Sequence, residues 1–337
     1  MMKSRFKWNS LPNPFYVMAP MEGATDAAFR QIVLSLGKPH VSFTEFTNVE
    51  GLTSKGRRLV EQRLLYESSE QPLIAQVWGL VPEHFFKIAG EIVERGFAGI
   101  DINMACPDRA VIKKGSGGAL ILNRKLAALI IQAVKQGVRN KIPVSVKTRI
   151  GFKQIETESW VEFLLKQEID ALTVHGRTVS ELSKVPAHWD EITKAVAVRN
   201  LLGVKTVIIG NGDVTSLAQA DDLAKKSGVD GVMIGRGVFK NPWVFGEKAN
   251  SQGALEINRT KKERLDLLIR HIDLHQKFFD TEKFAKEPGK VWKPFEPLKR
   301  YFKIYIQKFP GALKLRDELM HCHSYDEARS CLAKYKR

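Results

Sequence analysis

The chain has 337 residues, 44% of them hydrophobic and 27% charged, the balance of a folded globular protein and not of a disordered one. Three cysteines, Cys106, Cys322 and Cys331, form no C-x-x-C pair and leave an odd count, which excludes a disulfide scaffold and predicts a reducing, cytoplasmic setting. A net charge of +16 favours an acidic partner, nucleic acid being the commonest, and the longest nearly apolar run, 126–134, is far too short for a membrane span.

Near the N-terminus, Lys3, Arg5 and Lys7 are followed by Asn9, Pro12 and Pro14 where a signal peptide needs its apolar core, so no leader is expected. Eight short apolar runs then recur, at 15–19, 41–43, 73–78, 99–102, 144–146, 171–174, 206–209 and 231–234. Several are rich in Val and Ile without clean alternation, as parallel strands covered on both faces are. Between them apolar residues fall at helical spacing, for example Phe85, Ile88, Ala89, Ile92 and Val93, or Leu126, Leu129, Ile130, Ala133 and Val134. Eight strand–helix units predict a (β/α)8 TIM barrel over 1–250. A doubly wound sheet is the alternative, but no G-x-G-x-x-G follows the first strand.

Polar and glycine residues follow each strand, at the end where such barrels build their sites. They include Pro20-Met21-Glu22-Gly23, Glu45, Gln76, Lys147 with Arg149, and His175-Gly176-Arg177. The fourth strand runs through Ile100-Asp101-Ile102-Asn103-Met104-Ala105-Cys106-Pro107 into a cationic loop with Arg109, Lys113, Lys114 and the Gly115-Ser116-Gly117-Gly118 stretch. A cysteine there is either a small buried hydrophobe or a reactive thiol. The turns Asn211-Gly212-Asp213 and Gly235-Arg236-Gly237, after strands seven and eight, suit a phosphate cradle.

The barrel pattern fades after Phe245, and Asn250-Ser251-Gln252-Gly253 reads as a linker to a smaller domain, 251–337. Helices are predicted at 258–280, 297–309, 311–321 and 324–336. In the second, Leu298, Phe302, Tyr305 and Phe309 form an apolar stripe that reads as core, while Lys299, Arg300, Lys303 and Lys308 point elsewhere. From 255 to 337 there are 20 Lys and Arg against 12 Asp and Glu, half of the chain's positive excess, which predicts a nucleic-acid face. Cys322, Cys331, His321 and His323 match no zinc spacing, and no carboxylate cluster offers a metal site.

Gln76, Asn103, Cys106, Lys147, Arg149 and His175 therefore meet at the barrel mouth. Lys147 is open to two readings: a Schiff-base lysine, or a cation beside the polar edge of a flavin. The ordered motifs Ala19-Pro20-Met21-Glu22-Gly23-Ala24-Thr25-Asp26, Asn103-Met104-Ala105-Cys106-Pro107, Val146-Lys147-Thr148-Arg149, Val174-His175-Gly176-Arg177-Thr178, Gly210-Asn211-Gly212-Asp213 and Ile234-Gly235-Arg236-Gly237 resemble the flavin-dependent tRNA-dihydrouridine synthases. The resemblance covers roughly 14–246, and the basic tail agrees with it. It implies an FMN-bearing barrel, NADPH as reductant and reduction of the uracil C5–C6 bond in tRNA; separately, a monomer is expected. By the same resemblance Pro20, Met21 and Glu22 would line the isoalloxazine, and Gln76 and Lys147 would bond its polar edge. His175, Asn211, Gly212, Asp213, Gly235 and Arg236 would hold ribityl and phosphate groups. Asn103, Arg149 and Arg177 would contact the target uracil or its phosphate, and Cys106 would donate the proton to C5. One departure is visible: many members carry glycine where this chain has Ala105, and a position requiring positive φ would strain alanine. Two other readings stay open, a flavin oxidoreductase of a free pyrimidine, such as a dihydroorotate dehydrogenase, and a non-catalytic RNA-binding protein.

Overall fold

The structure is a computed structural model, describing residues 5–246, 259–280 and 294–335. The predicted linker at Asn250–Gly253, and with it the boundary between the two expected domains, lies outside the described residues.

Among the described residues there are nine strands: β1 (Phe15–Met18), β2 (Val41–Phe43), β3 (Thr47–Asn48), β4 (Leu73–Trp78), β5 (Gly99–Met104), β6 (Val144–Arg149), β7 (Ala171–His175), β8 (Val207–Asn211) and β9 (Gly231–Ile234). All pair in parallel, and β1 pairs with both β2 and β9, which closes the sheet. β2 and β3 both pair with β4, at Ser42↔Leu73 and Thr47↔Val77, so together they form one stave of an eight-staved barrel. The predicted (β/α)8 architecture is the observed one.

Helices cover the outside, and their ends follow local chemistry. The Asp26 side chain caps helix Ala27–Leu36 through the Phe29 N–H, and Ser216 caps Leu217–Ser227 through Gln219. Gly228, at φ +74, ends that second helix in the left-handed conformation glycine adopts freely. Among the described residues no single helix is long and apolar enough to cross a membrane.

Side chains alternate across a strand, so each stave sends every second residue into the barrel. Near the amino-terminal end these residues are apolar: Phe15, Val17, Phe43, Ile74, Ala171, Val207 and Ile209 cluster there under Trp8, which closes that end. Further along, the same faces carry Gln76, Asp101, Asn103, Lys147, Thr173, His175 and Asn211. The interior thus changes from oil to polar groups toward the carboxyl ends, and the site sits on this floor.

The C-terminal helices Lys261–Phe279, Ala312–Met320 and Tyr325–Tyr335 form one continuous core with the barrel's outer layer. Phe29 stacks on Tyr301 with ring centroids 5.3 Å apart. The Tyr301 hydroxyl donates to Asp26 Oδ2 at 2.6 Å. Leu298, Phe302 and Tyr305 are buried as the stripe required. The helix expected at 297–309 is instead a 3-10 turn, Glu296–Tyr301, followed by a single α turn, Phe302–Tyr305. Lys299 pairs with Glu296 at 3.1 Å, and Arg300, exposed, donates to the carbonyl of Gly23 on the barrel rim, so Lys299 is paired while Arg300 keeps its charge but is tethered.

Candidate active site

β5 ends at Met104 and the chain turns at Ala105 and Cys106. Asn103 makes this turn: its Oδ1 accepts the backbone N–H groups of both Ala105 and Cys106 at 3.0 Å. Its Nδ2 donates to Gln76 Oε1 at 3.0 Å, and Gln76 Nε2 donates to Asp101 Oδ2 at 2.7 Å. Ala105 is not among the residues of positive φ, so alanine fits without strain there. Beyond the thiol, Asp108 caps the short helix Arg109–Lys113, and the loop folds back until the Gly118 N–H meets the Cys106 carbonyl at 3.0 Å. Gly117 has φ +58, and a Cβ there would come within 2.8 Å of Val111 and 3.1 Å of Cys106. The glycines of this loop therefore serve close packing around the thiol.

Cys106 is partly exposed, whereas Cys322 and Cys331 are buried. Burial pushes the Cys106 thiol above its ordinary value; a backbone hydrogen bond at Asp108 and the charges of Arg149 and Lys147 pull the other way without reversing the shift. The thiol is protonated at neutral pH.

Arg149, bonded to the Ala105 carbonyl, joins this turn to a cleft of about 540 Å³ lined by Ala19, Pro20, Met21, Lys147, Arg149, His175, Arg177 and the turns after β8 and β9; Cys106 lies beside it and is not one of its lining residues. Lys147 is buried, and its ammonium has no hydrogen-bond partner among the described residues. Burial and Arg149 push it down to about 8, against Asp101 and Cys106. The Thr173 hydroxyl, on the residue paired with Lys147 in register, is likewise buried without a partner. Arg149 braces two loops, donating from Nε to Ala105 O at 2.8 Å and from Nη1 to Thr178 O at 2.9 Å and Leu182 O at 3.1 Å. Burial, then Lys147 and three arginines, hold His175 well below its ordinary value, so the ring is neutral. Arg177 Nη1 lies 3.2 Å from His175 Nε2, and because arginine only donates, the imidazole proton is on Nδ1.

The turn after β8 is shaped by contact. Gly212 has φ +140, and a Cβ there would stand 2.6 Å from Ala187. A Cβ on Gly237 would stand 2.3 Å from the Val214 carbonyl. Asp213 accepts from Arg177 and, at 2.8 Å, from Arg236 Nη2. Its carboxyl is held below the usual range despite desolvation, chiefly by the Arg177 hydrogen bond.

Most of the residues singled out in the sequence meet here: Pro20, Met21, Lys147, Arg149, His175, Arg177, Asn211, Gly212, Asp213, Gly235 and Arg236 share the one cleft. Gln76 and Asn103 lie in the floor, bonded to each other. Arg177 is buried, with its nitrogens on Val185 O, His175 and Asp213, so it shapes the wall. Glu22 stands apart: it pairs with Arg63 at 2.5 Å and faces a neighbouring cavity of about 430 Å³ against the C-terminal helices. Sequence reasoning assigned no role to Asp101, or to Glu45, whose Oε1 accepts the Gly23 N–H at 2.6 Å and steadies the loop that carries Met21. Asp101's signal was its place two residues before Asn103, on the same strand face.

A partly exposed thiol beside a cationic cleft at the carboxyl ends of a (β/α)8 barrel defines an enzyme of the class that works on a ligand held in that cleft. The dihydrouridine synthase family profile matches residues 17–337. The probable tRNA-dihydrouridine synthase 2 of Bacillus subtilis (strain 168) is 42% identical over 332 residues, 98% of this chain and 96% of that protein. The probable tRNA-dihydrouridine synthase of Staphylococcus aureus (strain COL) is 41% identical over 337 residues, 99% and 97% of the two chains. The chain belongs to the dihydrouridine synthase family. Among solved structures, histamine dehydrogenase from Rhizobium sp. 4-9 superposes with TM-score 0.51 at 13% identity, over 95% of this chain and 61% of that one. A 2-naphthoyl-CoA reductase complex gives 0.53 at 9% identity, over 68% and 49%. At such identities these two speak to the fold alone.

Proposed function

We propose that this protein is a tRNA-dihydrouridine synthase that uses FMN and NADPH to reduce the C5–C6 bond of a uridine in tRNA. The observation that carries the reading is Cys106, a partly exposed thiol that burial keeps protonated, next to Ala105, whose carbonyl Arg149 of the cationic cleft holds at 2.8 Å. The donor set suits a flavin mononucleotide. Pro20 and Met21 offer an apolar wall, Lys147 an unpartnered cation for the ring's polar edge, and His175 Nδ1–H a neutral donor. Arg236 and the backbone around Gly212 and Gly235 would hold the phosphate, with Asp213 fixing Arg236 in place. Glu22 is better read as a partner of Arg63 than as a flavin contact.

When bound, the flavin supplies the hydride that reaches C6 of the uracil, and NADPH renews it. Every other part belongs to the chain. Cys106 delivers a proton to C5, so it must arrive as a thiol, and burial favours that form. The unpartnered part of the Arg149 guanidinium and the second N–H of Asn103 Nδ2 are available to the uracil carbonyls. A uridine in folded RNA must leave its stack to reach the cleft, at a cost of a few kcal/mol. Phosphate contacts to the basic surface, including exposed Lys303, offset it. On this reading residues 1–250 are the catalytic barrel and 251–337 the RNA-facing unit.

Mapping dihydrouridine in tRNA from cells with and without the protein tests the proposal. Loss of the base at one or more positions is expected. An unchanged map, with a yellow protein that turns over a free pyrimidine, would favour the small-molecule alternative.

A further inference from the structure

Asp101 is fully buried and is not used in the chemistry above. It stands on β5 in a row of interior residues, Gln76, Asp101 and Ser145, which are register partners across β4, β5 and β6. The next interior residues along the same strands are Asn103 and Lys147, again paired. A buried carboxylate is costly to desolvate, so its presence in this floor calls for a compensating role.

Both oxygens are engaged. Oδ1 accepts from Ser145 Oγ at 2.6 Å, and Oδ2 accepts from Gln76 Nε2 at 2.7 Å. An ionised carboxylate only accepts, so Gln76 must turn its nitrogen toward it. Gln76 Oε1 is then left for Asn103 Nδ2, and Asn103 Oδ1 for the N–H groups of Ala105 and Cys106. One anion therefore sets the direction of every amide up to the thiol. The same anion acts on charge. Lys147 faces Arg149 on its own strand, which opposes its protonation, and neutral His175 on β7. The groups favouring its protonation are Asp101 and, only when ionised, Cys106.

We propose that Asp101 is a positioning residue of this site: its carboxylate is the counter-charge that holds Lys147 as an ammonium and the anchor that orients Gln76 and Asn103. The proposal deepens the flavin reading, in which Lys147 faces the ring's polar edge. Burial already raises the Asp101 carboxyl to about 6, so it is ionised at neutral pH and can be neutralised within an accessible range.

Asp101→Asn separates charge from shape. Asn can keep Oδ1 on Gln76 Nε2 and give Nδ2 to Ser145, whose hydroxyl rotates to accept. The hydrogen bonds survive and the charge is lost. In the purified flavin-bound protein, the Lys147 ammonium is followed by NMR against pH, its signal assigned by its disappearance in Lys147→Met. Removing an anion disfavours the protonated amine, so the Lys147 midpoint falls in the variant. The expected fall is about one pH unit, a tenfold change in the protonation equilibrium. The alkaline limb of the RNA-dependent rate moves down with it. A Lys147 midpoint unmoved by Asp101→Asn overturns the proposal, because a merely structural residue replaced isosterically gives that result. Should Asp101→Asn not fold, Ser145→Ala serves: it withdraws a hydrogen bond from the carboxylate, so the acid-side step in the Lys147 signal moves above about pH 6. An unmoved step there overturns the proposal equally. A protein that purifies without flavin while Lys147 titrates as described would instead overturn the flavin reading and leave the charge coupling intact.

Discussion

Asn103 Oδ1 accepts the Cys106 N–H at 3.0 Å, so the residue that ends the polar floor also fixes the turn that presents the thiol. Replacing Asn103 by Ala leaves the Ala105 and Cys106 N–H groups without that acceptor. Stability should fall by about 1–3 kcal/mol for each N–H left unpaired, measured by urea denaturation. The RNA-dependent step should slow about 10²-fold, as misplaced reacting groups do, with flavin retained. A variant with native stability and native rate would show that the turn holds its shape without the amide.

On the proposed reading the turns after β8 and β9 hold a single phosphate, so the protein should purify yellow with FMN. Heat release and chromatography identify the flavin, and FAD as the bound species would contradict the assignment. Arg236→Ala removes a charge-assisted contact of about 1.5–3 kcal/mol, so FMN should bind roughly ten- to a hundredfold more weakly. Binding as tight as native would move the phosphate away from the turn after β9.

Lys303 is exposed on the C-terminal unit, whereas Lys299 and Arg300 are already engaged by Glu296 and Gly23. Lys303→Ala should weaken tRNA binding and flatten its salt dependence by roughly 0.7–0.9 of a slope unit, with flavin unaffected. Arg300→Ala should act through the Gly23 loop beside Met21 and disturb the flavin spectrum instead. Equal effects of both on RNA affinity, with no spectral change, would contradict this division. Deleting 255–337 is a poor probe, because Leu268, Tyr301 and Phe302 belong to the barrel's own core.

Arg30 is fully buried, bound to Glu70 at 2.5 Å, to Thr25 O at 2.8 Å and to Leu65 O at 2.6 Å. Glu70→Ala strands that guanidinium and should cost about 3–5 kcal/mol in chemical denaturation. A loss under 1 kcal/mol would mean that water or another carboxylate replaces Glu70.

Much of this was legible in the sequence because a barrel writes its period into the chain. The eight apolar runs became the eight staves, with β5, β6, β7 and β8 each extending past the expected end. Those extensions include the polar residues Asn103, Lys147, Arg149, His175 and Asn211, which hydropathy reads as loop although they are paired strand lining the barrel interior. Side-chain direction was not legible. Nothing in Met21-Glu22-Gly23 says that Glu22 turns away to Arg63, since Arg63 is distant in sequence. Arg300 was read as a cation for RNA because its acceptor, the Gly23 carbonyl, is a backbone group that composition cannot reveal. Asp101 was passed over because an acidic residue inside an apolar strand gives no turn signal, only its alternation with Asn103.

The measurement that tests the account most directly is single-turnover reoxidation of the reduced protein by uridine-containing tRNA, native against Cys106→Ala. On the proposed mechanism the thiol serves only to protonate C5, so the variant should bind FMN and be reduced by NADPH as the native protein is. Its reoxidation by tRNA should slow by about 10²–10⁴-fold, the usual worth of a positioned acid. Reoxidation of Cys106→Ala at the native rate would contradict the account and make Cys106 a packing residue of the loop.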